Sequence, residues 1–279
     1  MRLVTFRGEG GARAGVLGEK GVMDAAPLLA SEGVSVRELI AADRLGELRK
    51  ALEGGGPDPV SDAELLPPLP DPDKIICIGL NYRSHAAEAG IDPPEQPTFF
   101  AKFRNALAPT DATVELPAAS EKLDYEAEVA FVVGRRCKEV DTADAIGAVA
   151  GYLLLNDLSA RDLQFATPQW MPGKVFDGSA PCGPAIVTPE EAGAPDAISF
   201  SLDLNGERMQ EASTSDLIFS VPELVARLSH WMTLEPGDIV STGTPSGVGS
   251  IRKPRVWLKP GDEIVITSPT LGELRTSIS

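Results

Sequence analysis

The chain has 279 residues, of which 43% are hydrophobic and 24% charged, as in an ordinary globular protein that can bury a substantial core. Its 25 basic and 41 acidic residues give a net charge of −16, which argues against nucleic acids and anionic membranes as partners. The three cysteines are far apart and lack CxxC spacing, and the N-terminus lacks an export signal. We therefore expect reduced thiols in a soluble, cytoplasmic protein.

The first 68 residues predict a small N-terminal α+β domain. We expect a strand over Arg2–Phe6 and helical segments around Val36–Leu52. The proline-rich stretch Pro67–Pro72 ends this unit, because consecutive prolines cannot continue a helix or an inner strand. A second domain is therefore expected over residues 69–279.

Short strands dominate the second part of the chain. Their spacing is not that of alternating strands and helices, so the prediction is a mixed α+β architecture. Residues 81–90 predict one or two helical turns ended by Gly90. Two pairs have the spacing of a helix-capping box, Ser159 with Asp162 and Ser220 with Glu223, and each predicts that a helix begins there. The expected strands are Lys74–Gly79, Pro97–Phe103, Ala127–Gly134, Gly151–Asp157, Asp238–Thr242, Arg255–Leu258 and Glu263–Thr267.

Two glutamates lie two residues apart in an apolar strand. Glu126 and Glu128 must share a face, with Asp124 behind them, and like charges on a half-buried strand repel unless a cation lies between them. Asp157 ends another apolar strand and is the natural third ligand. Three carboxylates without cysteine or histidine suit Mg²⁺ or Mn²⁺ better than Zn²⁺. The alternative is that these acids bond to turn amides or lysines.

Histidine is scarce, with His85 and His230 alone. His230 is interpreted as a residue on the surface of a helix. His85 and Glu88 are three residues apart on a short helix, so they share a face, and the carboxylate can orient the imidazole as a general base. An ordinary surface pair is the alternative. Lys174 lies between turn residues and an apolar segment, where it could face an anionic intermediate or solvate a loop.

A glycine-rich loop, Thr242–Gly249, follows one of the expected strands. Its backbone amides could cradle a carboxylate. The loop lacks the Lys-Ser/Thr ending of a nucleotide P-loop and the strand–helix context of a dinucleotide-binding turn. Nucleotide binding is therefore not expected.

Five segments, in order along the chain, resemble the fumarylacetoacetate hydrolase superfamily, and the stretches 100–103 and 252–258 resemble its subgroup of fumarylacetoacetate hydrolase domain-containing proteins. The resemblance implies a catalytic domain of mixed β-roll/β-sandwich type that binds Mg²⁺ or Mn²⁺ and forms a homodimer. The five segments are Gly79–His85, Leu123–Glu128, Asn156–Gln164, Gly173–Asp177 and Thr242–Gly249.

The resemblance also assigns roles to individual residues. It implies that Glu126, Glu128 and Asp157 are the metal ligands. The catalytic residues that it implies are the His85–Glu88 dyad, on a segment that acts as a lid, and Lys174. The substrate contacts that it implies are Lys102, Arg161, Gln164, Gly243 and Thr244, with a structural role as the alternative for Arg161.

The leading functional hypothesis is a metal-dependent hydrolase that cleaves a C–C bond in an acylpyruvate or other diketo acid through a metal-stabilised enolate. The same site could instead serve an isomerase or decarboxylase, for oxaloacetate or for a substrate such as 2-hydroxyhepta-2,4-diene-1,7-dioate. A non-catalytic binding protein for 2-oxo acids is a further alternative. In each case the expected partner is a small 2-oxo or dicarboxylic acid, with a role in the catabolism of aromatic compounds.

Overall fold

The computed structural model describes residues 1–31 and 33–279. Strands and short helices mix throughout, which confirms the α+β class. The strands are β1 (Arg2–Gly8), β2 (Gly11–Gly18), β3 (Gly21–Asp24), β4 (Leu65–Leu66), β5 (Ile75–Gly79), β6 (Thr98–Lys102), β7 (Leu107–Ala108), β8 (Ala112–Val114), β9 (Leu123–Asp124), β10 (Ala127–Val133), β11 (Val149–Asn156), β12 (Ser159–Ala160), β13 (Ala180–Val187), β14 (Ser199–Leu204), β15 (Glu207–Ser213), β16 (Ile239–Ser241), β17 (Glu263–Ser268) and β18 (Gly272–Ile278).

The helices are short, and none in the described parts of the chain is long and apolar enough to cross a membrane. The α-helices are α1 (Ala25–Leu28), α2 (Val36–Ala41), α3 (Leu45–Glu53), α4 (Arg83–Ala89), α5 (Thr142–Ala145), α6 (Arg161–Gln164), α7 (Pro189–Ala192) and α8 (Val221–Trp231). Single 3₁₀ turns cover Arg104–Ala106, Ile146–Ala148, Met171–Gly173 and Thr214–Asp216.

The strands form a large sheet, a smaller one and a two-stranded ribbon. The large sheet has the order β3-β2-β1-β13-β11-β10-β16-β5-β6, with β4 paired to β1 and β7 to β13. The smaller sheet has the order β15-β14-β17-β18-β8, and β9 pairs with β12. In the large sheet β10 lies between β11 and β16, both antiparallel to it. This central position determines what surrounds the two glutamates at its start.

Both faces of β10 are buried, because apolar clusters cover the sheet on each side. Val129 and Phe131 point into a core shared with β14, β17 and α8. Ala130 and Val132 point the other way, into a core shared with β1, β2 and α2. Since side chains alternate along a strand, the face of Ala130 and Val132 is also the face of Glu128. Two carboxylates therefore lie at the end of a row that is otherwise apolar.

The N-terminal segment adds β1–β3 to the large sheet through antiparallel pairing of Arg2 with Val187 and Leu3 with Ile186. The expected helical segments are present as α2 and α3. The division into domains at 1–68 and 69–279 stays a prediction. The three cysteines are buried and free, as expected.

One capping box formed and the other did not. The Ser220 and Glu223 side chains bond reciprocally at the start of α8, as predicted. The capping box expected of Ser159 and Asp162 did not form, because other partners take both side chains, although a helix does begin just after the strand, as predicted. The Ser159 hydroxyl donates to the Asp157 carbonyl at 2.8 Å, and Asp162 accepts from the hydroxyl of Ser120 at 2.6 Å. Ser159 instead belongs to β12, and α6 that follows is a single turn.

The expected strand over Arg255–Leu258 is absent. Two backbone hydrogen bonds hold this segment, from Val256 to Gly249 and from Leu258 to Leu123. They connect it to two different parts of the chain, so no ladder forms. The other expected strands are present within two residues of their predicted ends, and α4 ends at Gly90, whose φ is +67°.

Candidate active site

Three carboxylates converge at adjacent ends of β10 and β11. Glu126 and Glu128 flank the first residue of β10, and Asp157 directly follows β11. Each offers an oxygen within 4.8 Å of the others, and all three side chains are buried. The Asp157 amide donates to the Glu126 carbonyl at 2.9 Å, which joins the two strand ends. The structure thus brings together the three residues in which the sequence indicated metal ligands, and we call them the acid cluster.

Two cations compensate one side of the acid cluster. The Lys174 ammonium donates to Glu126 at 2.7 Å and to Asp157 at 2.6 Å, while Arg161 contacts Glu126 at 2.5 Å and Asp124 at 2.8 Å. Burial alone would raise the pKa of Glu126, but Arg161 and Lys174 hold it well below its ordinary value. Burial would likewise lower the pKa of Lys174, but Asp157 and Glu126 raise it. These groups therefore stay charged.

Glu128 has no ion-pair partner among residues 1–31 and 33–279. It accepts hydrogen bonds from the Ser241 hydroxyl and, at 3.0 Å, from the Gly243 amide, and both go to Oε2. Burial, with the charges of Asp157 and Glu126, raises the pKa of Glu128 to about 8. The acid cluster therefore lacks positive charge on the Glu128 side.

Lys102, expected to contact substrate, lies beneath the acid cluster instead. Its buried ammonium donates to the carbonyls of Lys174 and Ser179 at 2.6 and 2.8 Å, and to the Ser179 hydroxyl at 3.0 Å. It also lies 2.8 Å from Oδ1 of Asp157, although this contact lacks hydrogen-bond geometry. Because its donors are used by the protein, Lys102 positions Asp157 and the chain after Lys174 rather than meeting a ligand.

The residues present fit a divalent cation. Asp157 Oδ1 accepts no hydrogen bond in the described chain, and both hydrogen bonds to Glu128 go to the same oxygen. An uncompensated buried carboxylate is costly unless a cation neutralises it, and an all-oxygen donor set suits Mg²⁺ or Mn²⁺. Within residues 1–31 and 33–279, the four buried carboxylates Asp124, Glu126, Glu128 and Asp157 meet three buried cations, Lys102, Arg161 and Lys174.

Lys174 reaches the acid cluster because the chain before it packs closely against α6. A Cβ at Gly173 would lie 2.4 Å from the Ala160 carbonyl and 2.5 Å from the Gln164 amide nitrogen. Only glycine allows this approach. The Lys174 amide then donates to the Met171 carbonyl at 2.9 Å. This hydrogen bond closes the turn from which the Lys174 side chain points inward.

His85 and Glu88 share a face of α4 but do not form a hydrogen-bonded dyad. Nδ1 of His85 lies 3.6 Å from Oε2 of Glu88 and has no other partner in the described chain. Glu88 accepts from the Gly247 amide at 3.1 Å instead. His230 is exposed near the end of α8, as expected for a surface residue.

The glycine-rich loop 242–249 cradles carboxylates, but they belong to the protein itself. A substrate carboxylate would therefore have to displace one of them. The loop can approach so closely because Gly243 has a φ of +99°, a conformation that favours glycine. Its amides donate from Gly243 to Glu128, from Gly247 to Glu88 and from Gly249 to Asp124.

The acid cluster lies on the wall of a cavity of about 570 Å³. Of the expected substrate contacts, three are on this wall and two, Lys102 and Gly243, are not. The wall also contains residues that sequence reasoning did not assign. Lys122, Arg255 and Trp257 are among them, and the only signal was that 252–258 resembled a subgroup. The residues brought together on the wall are His85, Glu126, Glu128, Asp157, Arg161, Gln164, Lys174 and Thr244.

The family model of the fumarylacetoacetate (FAA) hydrolase C-terminal domain matches residues 74–279. Among curated proteins, the chain is 41% identical to the mitochondrial oxaloacetate tautomerase FAHD2B of Bos taurus over 216 residues. This match covers 77% of the chain and 69% of the bovine protein.

Solved structures of similar fold include enzymes named for different reactions. A maleylpyruvate hydrolase from Sphingobium sp. SYK-6, in complex with manganese(II) and pyruvate, superimposes with a TM-score of 0.82 at 31% identity, covering 100% of this chain and 98% of that one. A 2-hydroxyhepta-2,4-diene-1,7-dioate isomerase from Mycobacterium marinum superimposes with a TM-score of 0.77 at 30% identity, with the same coverage.

Proposed function

The chain belongs to the fumarylacetoacetate hydrolase family, and we propose that it is a divalent-metal-dependent tautomerase of a small 2-oxo acid. The observation that carries this proposal is the convergence of three buried carboxylates on a cavity wall that also contains His85. The similarity to an oxaloacetate tautomerase favours proton transfer. We therefore rank isomerisation above C–C hydrolysis, which was the leading hypothesis from the sequence.

Tautomerisation removes one proton from C3 of the keto acid and adds one at the C2 oxygen. It consumes no water and releases no leaving group. In this proposal His85 takes the proton, because its Nδ1 has no protein partner in the described chain and its ring lies on the cavity wall. Lys174 adds positive charge on the same wall. A divalent cation held by Glu126, Glu128 and Asp157 would supply the charge that favours the enolate form.

The His85–Glu88 pair is open in the structure, with 3.6 Å between Nδ1 and Oε2. Catalytic hydrogen bonds are often long before substrate binds, so this distance excludes neither reaction. Proton exchange with a bound acid requires only a positioned imidazole. Glu88 is held by Gly247 and contributes charge near the ring rather than orienting it.

C–C hydrolysis is the second candidate, favoured by the similarity to a maleylpyruvate hydrolase with manganese(II) and pyruvate. It differs from tautomerisation in its products, because cleavage of an acylpyruvate releases two acids. Decarboxylation would release CO₂ from oxaloacetate. A non-catalytic binding protein would leave all these substrates unchanged.

The test is to follow the decay of enol-oxaloacetate absorbance with the purified chain, with Mn²⁺ or Mg²⁺ and then with excess chelator. Pyruvate and CO₂ are measured in the same samples. We expect metal-dependent decay of the enol faster than CO₂ release. The Glu126→Gln/Glu128→Gln variant should be inactive, whereas Glu9→Gln/Glu19→Gln, which changes two exposed glutamates, should behave like wild type. Full activity with chelator, or in a folded Glu126→Gln/Glu128→Gln variant, would show that the metal-dependent mechanism is wrong.

A further inference from the structure

The strand β16 covers one edge of β10 but stops short of the acid cluster. It pairs with β10 from Ala130 onward, and the residue after it, Thr242, still donates its amide to the Val129 carbonyl at 3.1 Å. The backbone groups of alternate residues face the same edge of a strand, so those of Ala127 face this edge too. Because buried backbone groups need hydrogen-bond partners, another part of the chain must supply them for Ala127.

Two side chains supply these partners. Oε1 of Gln210 accepts from the Ala127 amide at 2.9 Å, and the Thr244 hydroxyl donates to the Ala127 carbonyl at 3.0 Å. Nε2 of Gln210 in turn donates to Oγ1 of Thr244 at 2.9 Å and to the Pro245 carbonyl at 3.0 Å. Ala127, Gln210 and Thr244 are all buried. They form a closed ring of three hydrogen bonds, which we call the amide clamp.

A β-bulge turns Gln210 toward the amide clamp. In the pair of β14 and β15, Leu202 lies opposite Gln210 and Asp203 lies opposite Arg208, which leaves Met209 as the extra residue. Regular alternation would place Met209 and Gln210 on opposite faces of the sheet, but both are buried. Bulges are common beside functional sites, where they redirect a side chain. The redirected side chain here is that of Gln210.

The glycine-rich loop packs directly on this bulge. A Cβ at Gly247 would collide with the Met209 carbonyl. Arg252 joins the two segments, because its guanidinium donates to the Met209 carbonyl at 2.6 Å and to the Gly247 carbonyl at 3.0 Å. The loop is therefore fixed against β15, and Gln210 connects both of them to the start of β10.

The amide clamp holds the backbone between the two glutamates of the acid cluster. The Ala127 amide belongs to the peptide plane that follows Glu126, and the Ala127 carbonyl belongs to the plane that precedes Glu128. Because a peptide unit is planar, fixing both groups fixes the directions in which the two glutamate side chains leave the chain. An amide side chain is donor and acceptor at once, so Gln210 does this without charge. It adds no cation that would compete with a metal ion for the acid cluster.

We propose that Gln210 is a positioning residue for metal binding, which holds Glu126 and Glu128 in the geometry in which their carboxylates share one ion. The inference rests on the proposed function, since that function supplies the metal site. Gln210 does not line the cavity, so it acts through the backbone of β10 and not on a substrate. Removing a group that orients metal ligands typically weakens metal binding about 10- to 100-fold.

The first test compares Mn²⁺ affinity by isothermal titration calorimetry without substrate. Gln210→Met removes both hydrogen-bonding groups at nearly constant size, and the Kd should rise at least about tenfold. Ser229→Ala is the matched control. Buried Ser229 accepts from the Val140 amide at 3.1 Å but does not line the cavity, so its loss should lower stability and leave the Kd unchanged. A wild-type Kd in Gln210→Met, or an equal rise in the control, would overturn the proposal.

Thr244 tests the amide clamp from its other side, and it does so even if Gln210→Met fails to fold. Thr244→Val removes the hydroxyl and should raise the Kd severalfold, whereas Thr244→Ser keeps the hydroxyl and should bind Mn²⁺ like wild type. Both Gln210→Met and Thr244→Val break the same ring, so the double variant should bind about as weakly as Gln210→Met alone. Fully additive losses, or equal losses in Thr244→Val and Thr244→Ser, would overturn the proposal.

Hydrogen exchange separates this proposal from the proposed function, because it needs no metal. In the metal-free Gln210→Met protein, NMR should show the Ala127 amide exchanging at least about tenfold faster than the Phe131 amide, which β16 still covers. In wild type the two amides should be similarly protected. Equal protection in the variant would show that Gln210 does not hold this segment. Wild type that binds no Mn²⁺ would instead overturn the proposed function, and exchange at Ala127 would still decide whether the amide clamp holds.

Discussion

The ammonium of Lys102 lies 2.8 Å from Oδ1 of Asp157, and both side chains are buried, Asp157 on the wall of the cavity and Lys102 off it. Two backbone carbonyls and a hydroxyl take the hydrogen bonds of this lysine. An acid of the site is thus accompanied by a buried cation that does not line the cavity.

Lys102→Met should therefore lower both stability and metal affinity. The change leaves Asp157 with Lys174 as its remaining cation and leaves two buried carbonyls without the donor that Lys102 provides, and breaking a buried ion pair costs about 3–5 kcal/mol. Urea unfolding measures the loss, and Mn²⁺ titration of the folded fraction measures the affinity. Lys138→Met, at an exposed position, is the control and should change neither by much. A stable Lys102→Met protein with wild-type Mn²⁺ affinity would contradict the positioning role.

Glu128→Gln should have opposite effects on the metal-free and metal-bound protein. Without metal and above about pH 8, where Glu128 is ionised, the change removes a repulsive charge next to Glu126 and Asp157, so the melting temperature should stay the same or rise. With Mn²⁺ at about a hundred times its Kd, wild type should gain about 2.7 kcal/mol, and the variant should gain much less. Differential scanning calorimetry with and without Mn²⁺ measures the direction of both changes in stability. A variant that is destabilised without metal yet responds fully to Mn²⁺ would show that Glu128 is not a ligand.

The pH dependence of the metal-free protein follows from the same carboxylate. The pKa of Glu128 rises from 4.5 to about 8 on folding, so the native state favours its protonated form. The stability it contributes is fully present below pH 4.5 and is lost as the pH rises through about 8. Urea unfolding should show wild type losing stability relative to Glu128→Gln across this window. Mn²⁺ should reverse the trend, because it binds the deprotonated carboxylates. Parallel curves for the two metal-free proteins would refute the raised pKa.

His85→Ala and Glu88→Gln should differ in severity. If His85 transfers the proton alone, its removal should lower kcat by about 10²- to 10⁴-fold and leave Mn²⁺ binding intact. Glu88→Gln should have a smaller effect, because Oε2 lies 3.6 Å from the imidazole and the Gly247 amide holds the carboxylate. Steady-state kinetics on enol-oxaloacetate, with products identified, makes the comparison. Equal losses of kcat in the two variants would support a His85–Glu88 dyad that activates water, and therefore hydrolysis.

The acid cluster could be predicted from the sequence because strand alternation is a local rule. Glu126 and Glu128 must share a face wherever the strand lies, and an acid that ends an apolar strand, such as Asp157, must emerge at an edge. The role of Lys102 could not be predicted in this way. The local sequence does not distinguish a lysine that contacts substrate from one that is buried below the site. The burial of Lys102 depends on the packing of β6 against the chain around Ser179.

Other expectations failed where competing hydrogen-bond partners, one local and one distant, took the side chains. The Ser159 and Asp162 side chains had the spacing of a cap, but the Asp157 carbonyl and Ser120 offered them hydrogen bonds within the folded chain. The amides of the glycine-rich loop were expected to cradle a carboxylate, which stays a prediction for a substrate, and in the structure they bond to carboxylates. That these carboxylates belong to the protein became visible only when distant segments came together.

The burial of β10 on both faces has a consequence for how the site opens. Amide protons of that strand should exchange with solvent only when the whole protein unfolds, because β11 and β16 cover its edges and apolar clusters cover its faces. The helix α4 has one buried side chain, Ala86, so its amides should exchange through local opening at much lower free energy. Glu128 thus belongs to the part of the molecule that opens last, and His85 to a part that opens first. Deuterium uptake would then report the two halves of one site on different timescales.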